Sequence, residues 1–363
     1  MAPSPSRPSS AKAQPKRRKR FAVVGAGIAG ISCARTLAQA GHDVLLIDKN
    51  ESAGGRTATQ SSPFGTFDYG AQYFTVRDAR FGLALQTVPG LCKPWSANTV
   101  RVLDEHGRVA AAGLPSREAH WVPQPGMGAL AAAWAEPLQA TGALALQTRV
   151  TAIERDALNP QGWQLQTQGP DGAGRVLSGF DGILLALPAS AARSLLLISK
   201  QSATLVRQMD AVQVAPCWTL MLAFPQAMQP NLTTLGPQWN AARSTHHRIA
   251  WLARESSKPG RGAIERWTVQ ASAAWSQEHL QDDEDRVKSK LLKAFAEITG
   301  IRAEPAYAQT HRWPSAQTLR PLGHSHLLDR KTGIGLCGDW CLGHRVENAF
   351  VSGLELADRK SVV

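Results

Sequence analysis

The sequence predicts an α/β chain: a Rossmann-type dinucleotide-binding domain into which an α+β substrate domain is inserted. Three observations at the start of the chain carry this. Phe21–Val24 is a short apolar run of strand type that leads at once into Gly25-Ala-Gly27-Ile-Ala-Gly30. A helical pattern follows to about Ala40 and stops at Gly41. Val44–Asp48 then reads as a second strand, ending in an acid eighteen positions after Gly30. Each glycine has a mechanical role. Gly25 permits a tight turn, Gly27 lets backbone approach a pyrophosphate, and Gly30 lets helix and strand pack closely. The helix N-terminus faces the phosphates. Asp48 is placed to accept hydrogen bonds from an adenosine ribose, which disfavours a 2′-phosphate there.

The 363 residues suffice for about two domains. Their 43% hydrophobic content permits a sizeable core. No apolar run reaches the ~18–20 residues of a membrane span. The net charge of +12 is concentrated in residues 1–20, which hold seven cations and no acid, leaving +5 for the other 343. A body this weakly basic suits a phosphate-bearing small molecule rather than nucleic acid. Residues 1–20 read as a disordered basic tail. Arg17-Arg18-Lys19-Arg20-Phe21 before Ala22–Ala34 mimics a twin-arginine export signal. The pattern runs past any cleavage site, as a buried strand opening a nucleotide unit would. The five cysteines form neither a CxxC pair nor a disulfide framework, which fits a reducing, cytoplasmic setting.

Further segments narrow the dinucleotide. Ser52-Ala-Gly54-Gly55-Arg56-Thr57 follows the second strand, bringing a glycine pair and a phosphate-pairing arginine. Near the other end, Gly333-Ile-Gly-Leu-Cys-Gly338-Asp339-Trp340 is a short strand closing on Gly-Asp. Gly343-His-Arg345-Val346-Glu347 opens a last helix. Together these segments resemble the glutathione-reductase-type flavin fold, in its amine-oxidase-like branch. The resemblance implies non-covalent FAD. Gly25, Gly27, Gly30, Asp48, Gly55 and Arg56 would serve its ADP half, and Val150 would offer backbone to adenine. Gly338 and Asp339 would reach the ribityl chain. Arg345 and Val346 would open the helix whose N-terminus points at the flavin pyrimidine, a favourable place for negative charge. Cys337 and Cys341 read as packing residues, and no metal is expected.

Between the motifs, Leu144–Glu154 and Gly162–Thr167 alternate as strands, and Phe180–Leu187 reads as a buried strand returning to the sheet. Ala189–Leu197 is helical. Val214–Phe224, Arg248–Arg254 and Ile264–Ala271 are further strands, with a helix through Glu278–Ile298. The expected division is an FAD-binding domain of 21–75, 125–190 and 328–358, with a substrate domain of 76–124 and 191–327. There is no second GxGxxG, since Gly169-Pro-Asp-Gly172-Ala-Gly174 has its glycines in the wrong order. Electrons are therefore expected to come directly from the substrate.

Four more segments are Phe67–Phe74, Ser256–Arg261, Trp275-Ser276 and His311-Arg312-Trp313. With Gly338-Asp-Trp and Arg345-Val-Glu they resemble the bacterial renalase-like FAD oxidoreductases. That resemblance implies oxidation of dihydronicotinamide isomers, with the hydride at ring C2 or C6, to NAD(P)+, and transfer of the electrons to O2 to give H2O2. Such a substrate leaves as an aromatic cation and requires no general base; the protein holds the donor carbon near the acceptor. Gln72 and Tyr73 are candidates to border the flavin ring, or Tyr73 packs the first loop. Trp313 and Gln317 line the substrate face, or Trp313 is core. Lys258 and Arg261 hold a substrate diphosphate, or form a solvated turn. His246 and His247 stabilise superoxide, or are a surface pair. Gln270 and Pro314-Ser315 depart from the family's pattern. The alternatives are an FAD-dependent amine oxidase or desaturase with an apolar substrate, and a non-catalytic binding protein on the same scaffold.

Overall fold

The computed structural model describes residues 18–95, 100–111, 118–228 and 239–361. Most of the basic tail, residues 1–17, lies outside them. The chain has the α/β class expected. A six-stranded sheet runs in the order Leu327–Asp329, Ile334–Leu336, Gly182–Leu185, Arg20–Val24, Asp43–Ile47, Leu144–Ala145. All its pairings are parallel except that between the first two. Arg20–Val24 is central and buried from Phe21 onward, which explains an unbroken apolar run where a one-sided strand would alternate.

On one face the helix Ile28–Gln39 packs against Gly128–Ala140 and the last helix, Val346–Ser361. Ile31, Ala34 and Leu37 meet Trp134, Phe350 and Leu356 there. On the other face lie the helix Ala189–Ile198 and a three-stranded antiparallel sheet, Arg149–Arg155, Trp163–Gln168 and Gly174–Phe180. Gly169–Ala173 is the turn between the last two strands, so these glycines serve a hairpin.

A second sheet has seven strands in the order Tyr307–Arg320, Gln213–Phe224, Glu265–Ala271, Ile249–Arg254, Ala241–Ser244, Val100–Leu103, Val109–Ala111. Side chains alternate across it. Trp218, Leu220, Leu252 and Val269 face the helix Glu284–Thr299 and its Val287, Leu291 and Phe295. The other parity puts His311, Thr219, Gln270 and Trp251 side by side across four strands. That second face is the one turned toward the first sheet's motifs.

Three expected elements are each split. Leu144–Glu154 breaks at Gln147, whose φ is +50°: its first part joins the parallel sheet and Arg149–Arg155 joins the antiparallel one. The expected helix Glu278–Ile298 is two helices, Ala273–Glu278 and Glu284–Thr299. Asp283 restarts it by accepting from the backbone N–H groups of Asp285 and Arg286. Phe180–Leu187 likewise ends one strand and begins another, the peptide being turned where Asp181 N–H donates to Arg20 O at 2.7 Å.

Candidate cofactor and substrate site

The glycine turn is built tightly on the protein side and openly on the other. Gly25 has φ +106° and donates to Ile47 O at 2.7 Å. A Cβ on Gly30 would lie 1.8 Å from Gly25 O, so only glycine lets the helix sit this close. A Cβ on Gly27 would meet nothing within 4 Å. The helix Ile28–Gln39 begins with no side-chain cap and no acid in its first turn. Its leading N–H groups and the positive end of its dipole therefore face open space, which fits a pyrophosphate. Asp48 accepts from Ala26 N–H at 2.6 Å and Asn50 N–H at 2.8 Å, bracing this turn while retaining lone pairs for a further donor. The second glycine pair docks alongside: Gly54 N–H donates to Ala26 O at 2.8 Å, and Gly55 stands against Gly27.

Arg56 and Asp339, 283 positions apart, meet as a fork, with Nη2 to Oδ1 at 2.5 Å and Nη1 to Oδ2 at 3.0 Å. Arg56 Nη1 also donates to Ala316 O at 3.2 Å, and Thr318 Oγ1 donates to Asp339 Oδ2 at 3.3 Å. Gly338 N–H donates to Ser352 Oγ at 2.9 Å. Sequence reading missed Thr318 and Ser352; an isolated hydroxyl in a strand or helix carries no local signal. Arg345 Nη1 lies 3.7 Å from Glu347 Oε1. Glu347 in turn is buried and accepts the backbone N–H groups of Arg77 and Asp78. Val346 opens the last helix. Val150 pairs with Thr167 near the end of the antiparallel sheet.

A strap, Asp68–Tyr73, runs between this cradle and the second sheet. Ala71 N–H donates to Arg56 O at 2.8 Å, and a Cβ on Gly70 would lie 2.1 Å from that same oxygen. Trp313 Nε1 donates to Tyr69 O at 2.9 Å, and Gln270 Nε2 to Gly70 O at 2.7 Å. Tyr69 and Trp313 stack at 5.1 Å, with His311 edge-on to both at 4.7 and 4.3 Å. Tyr73 leans on His120, Trp251 and Trp95 at 4.2, 5.9 and 6.2 Å. Burial, with Glu51 nearby, lifts the Tyr69 phenol above its ordinary range. Burial likewise pushes the His311 imidazole down. Both shifts favour the uncharged form.

Several expected roles need correction. Lys258 and Arg261 neither face a diphosphate nor form a solvated turn; their side chains are 0% exposed. Lys258 Nζ donates to Glu255 Oε1 at 2.9 Å, Asp68 Oδ2 at 3.0 Å and Gln72 Oε1 at 3.2 Å. Arg261 Nη2 donates to Asp68 Oδ2 at 2.6 Å. Burial alone would raise the Asp68 carboxyl, but Lys258 and Arg261 together hold it below the usual range. Burial pushes Glu255 up, with Asp68 adding to it. Gln72 is occupied at both ends of its amide: Nε2 donates to Asp68 O and Gly70 O, so the side chain faces the ion cluster and not open space. His247 is exposed and its ring is tilted against that of His246, whose Nε2 lies 3.5 Å from Glu297 Oε2. Glu297 belongs to the helix on the sheet's far face, so His247 is not brought to the strap. Gln317 is exposed, between the Ala316 carbonyl and the Thr318 hydroxyl that hold Arg56 and Asp339.

Fold and cradle together define a flavin-binding oxidoreductase scaffold. Residues 23–81 match an NAD(P)-binding Rossmann-like domain, and residues 100–359 match the flavin containing amine oxidoreductase model. The chain belongs to the flavin containing amine oxidoreductase family, and its cofactor is FAD. It is similar over 79 residues, at 42% identity, to the hydroxyneurosporene desaturase of Rubrivivax gelatinosus, a stretch that is 21% of this chain and 15% of that protein. It is similar over 46 residues, at 52% identity, to an L-amino-acid oxidase of Demansia vestigiata, 13% of this chain and 9% of that protein. A further 42 residues are 52% identical to the Acinetobacter baylyi bifunctional protein of tRNA 5-methylaminomethyl-2-thiouridine biosynthesis, covering 12% and 7% of the two. The matches thus span under a sixth of these relatives' lengths. Among solved structures, a protein described as a protoporphyrinogen oxidase from Exiguobacterium superimposes with a TM-score of 0.72 at 15% identity, covering 95% of this chain and 99% of that one. This likeness is one of fold.

Proposed function

We propose that the protein is an FAD-dependent oxidase of renalase type. Its substrates are 2- or 6-dihydro isomers of NAD(P)H. With O2 and a proton these give NAD(P)+ and H2O2. The observation that carries this reading is the uncharged aromatic wall of Tyr69, His311 and Trp313 beside Gly70. A dihydropyridine becomes a pyridinium as it loses hydride, and electron-rich ring faces favour that developing cation. No proton leaves the reacting carbon, so a wall without an ionised base suffices. An amine substrate would favour two ring faces bracketing it, about 7 Å apart at twice the ~3.5 Å contact distance. Tyr69 and Trp313 are closed on each other at 5.1 Å.

FAD, when bound, supplies the two-electron acceptor. The chain's own contribution is binding and orientation. The uncapped helix at Gly27 would hold the pyrophosphate, Asp48 the ribose, and Arg56 with Asp339 the middle of the cofactor. Tyr73 and Trp313 would shape the face presented to the substrate. Five free thiols support placing the protein in a reducing cytoplasm.

The test is anaerobic. The yellow protein is mixed with the isomers that form as NADH or NADPH ages, and the visible flavin band is followed. Rapid bleaching by the isomers, with none by fresh 4-dihydro NADH or by amines, and recovery of colour in air, is the expected result. Bleaching by amines or carotenoid-like lipids instead selects the amine oxidase or desaturase. A colourless protein that takes up no flavin selects the non-catalytic binder.

A further inference from the structure

Beneath the strap lies a cluster whose arrangement exceeds what stability asks of it. Asp68, Glu255, Lys258 and Arg261 all have fully buried side chains. Buried ion pairs are commonly no more stabilising than well-packed apolar groups, so their worth lies in direction. The Lys258 ammonium has three hydrogens, and three oxygens take them, one each from Asp68, Glu255 and Gln72. Gln72 is the neutral member. Its amide has the same shape either way round, and an ammonium beside it admits only the oxygen. Nε2 is thereby turned to the carbonyls of Asp68 and Gly70.

The consequence runs along the backbone. Trp313 takes Tyr69 O and Gln270 takes Gly70 O, so three consecutive carbonyls are drawn toward protein side chains. In a trans peptide the next N–H points the opposite way. Ala71 N–H accordingly meets Arg56 O at 2.8 Å, and the Arg56 guanidinium forks onto Asp339.

We propose that Lys258 is a positioning residue for FAD: through Gln72 it sets the strap, and through the strap the Arg56–Asp339 pair. It does not itself touch the cofactor. The proposal rests on FAD binding alone and stands or falls independently of the substrate.

Lys258→Met by itself leaves two carboxylates facing each other and can fail to fold, so it is made together with Glu255→Gln, while Asp68 keeps Arg261. Glu255→Gln alone is the control, since it preserves the Lys258–Gln72 bond. Melting of each apoprotein, FAD affinity by fluorescence quenching, and the position of the bound flavin's visible band are measured. The control is expected to bind FAD within threefold of the parent. The double variant should melt cooperatively, bind FAD at least tenfold more weakly, and show a displaced band. Gln72→Leu, which keeps every ion, should reproduce that loss. Adding it to the double variant should weaken binding by less than threefold more, because both changes cut one linkage. Parental affinity and spectrum in the folded double variant, or in Gln72→Leu should the double variant not fold, overturn the proposal. So does full additivity of the two losses.

Discussion

Gly27 and Gly30 stand three residues apart in one motif, yet substitution by alanine should affect different properties. Gly27 has φ −76°, which alanine adopts without strain, and its missing Cβ points into a space free of protein atoms. Glycine is the better residue at a helix start by a few tenths of a kcal/mol to about 1 kcal/mol. Restricting the unfolded chain returns roughly 0.4–1 kcal/mol. The Gly27→Ala apoprotein should therefore melt within a few degrees of the parent. Its FAD affinity should fall at least tenfold, about 1.4 kcal/mol, because the methyl occupies the space left for a pyrophosphate. Gly30→Ala is the converse case. Its Cβ would stand 1.8 Å from Gly25 O and 3.1 Å from the Ala186 Cβ, with the acceptor fixed in a positive-φ turn. The helix gains about 1 kcal/mol of propensity. Overpacking against backbone exceeds that, costing about 1–3 kcal/mol even with flexible neighbours. A net loss of about 1–2 kcal/mol corresponds to a melting drop of roughly 2–8 °C at ~2–4 °C per kcal/mol. Calorimetry of the apoproteins and FAD titration separate the two cases. A Gly27→Ala protein that melts well below the parent while binding FAD normally would refute the assignment of the open side to the cofactor.

The buried carboxylates should respond oppositely to pH. Asp68 is held below its usual range, so its stabilisation is present above about pH 3.9, its unfolded value, and is lost as pH falls through the lower folded value. Glu255 is pushed up, so its contribution is full below about pH 4.3 and is lost as pH rises through the raised folded value. In urea titrations at neutral pH, Asp68→Asn should cost about 3–5 kcal/mol as a broken buried pair. Glu255→Gln should cost less than that and remove part of the decline in stability above pH 4.3; equal costs would contradict the assignment. Thiol reagents at neutral pH should leave the native protein unmodified. Cys33, Cys337 and Cys341 are buried, and burial pushes the Cys92 and Cys217 thiols up to about 11 and 12. Labelling should appear only on unfolding.

What the sequence revealed, and what it hid, follows from the range of the interactions involved. The glycine turn, its helix and Asp48 are local, each residue's role being set by neighbours within about thirty positions, and all were legible. Arg56 and Asp339 were legible as parts of separate motifs, although their pairing across the chain was not. The split of Leu144–Glu154 at Gln147 escaped because alternation continues through a positive-φ residue that carries no glycine. Thr318 and Ser352 escaped because a single hydroxyl acquires meaning only from the strand or turn packed against it. Lys258-Pro-Gly-Arg261 shows the limit most clearly. Lysine, proline, glycine and arginine together are the composition of an exposed turn. Their burial depends on Asp68, 190 positions earlier, and on a strap that the strand pattern does not announce.

That burial also changes what the proposed site asks of its substrate. A dinucleotide isomer carries a diphosphate and an adenosine beyond the reacting ring, and Lys258 and Arg261, the two cations that were candidates to hold that diphosphate, are spent on Asp68 and Glu255. Arg56 forks onto Asp339. Among the described residues, Gly70 has the Gln270 amide on its carbonyl and, beside it, the rings of Tyr69, His311 and Trp313, which recognise a flat ring and not a phosphate. Binding strength from remote parts of a substrate shows in kcat/KM only where the protein contacts those parts. Dihydronicotinamide mononucleotide isomers should therefore be oxidised with kcat/KM within tenfold of the dinucleotide isomers. The dinucleotide reaction should also change little between low and moderate salt, where an exposed phosphate–arginine contact would weaken. Initial rates of H2O2 release with both substrates, at two ionic strengths, measure this directly. A hundredfold preference for the dinucleotide that fades with salt would mean that cations outside the strap hold the diphosphate, and the ring-only account of recognition would be wrong.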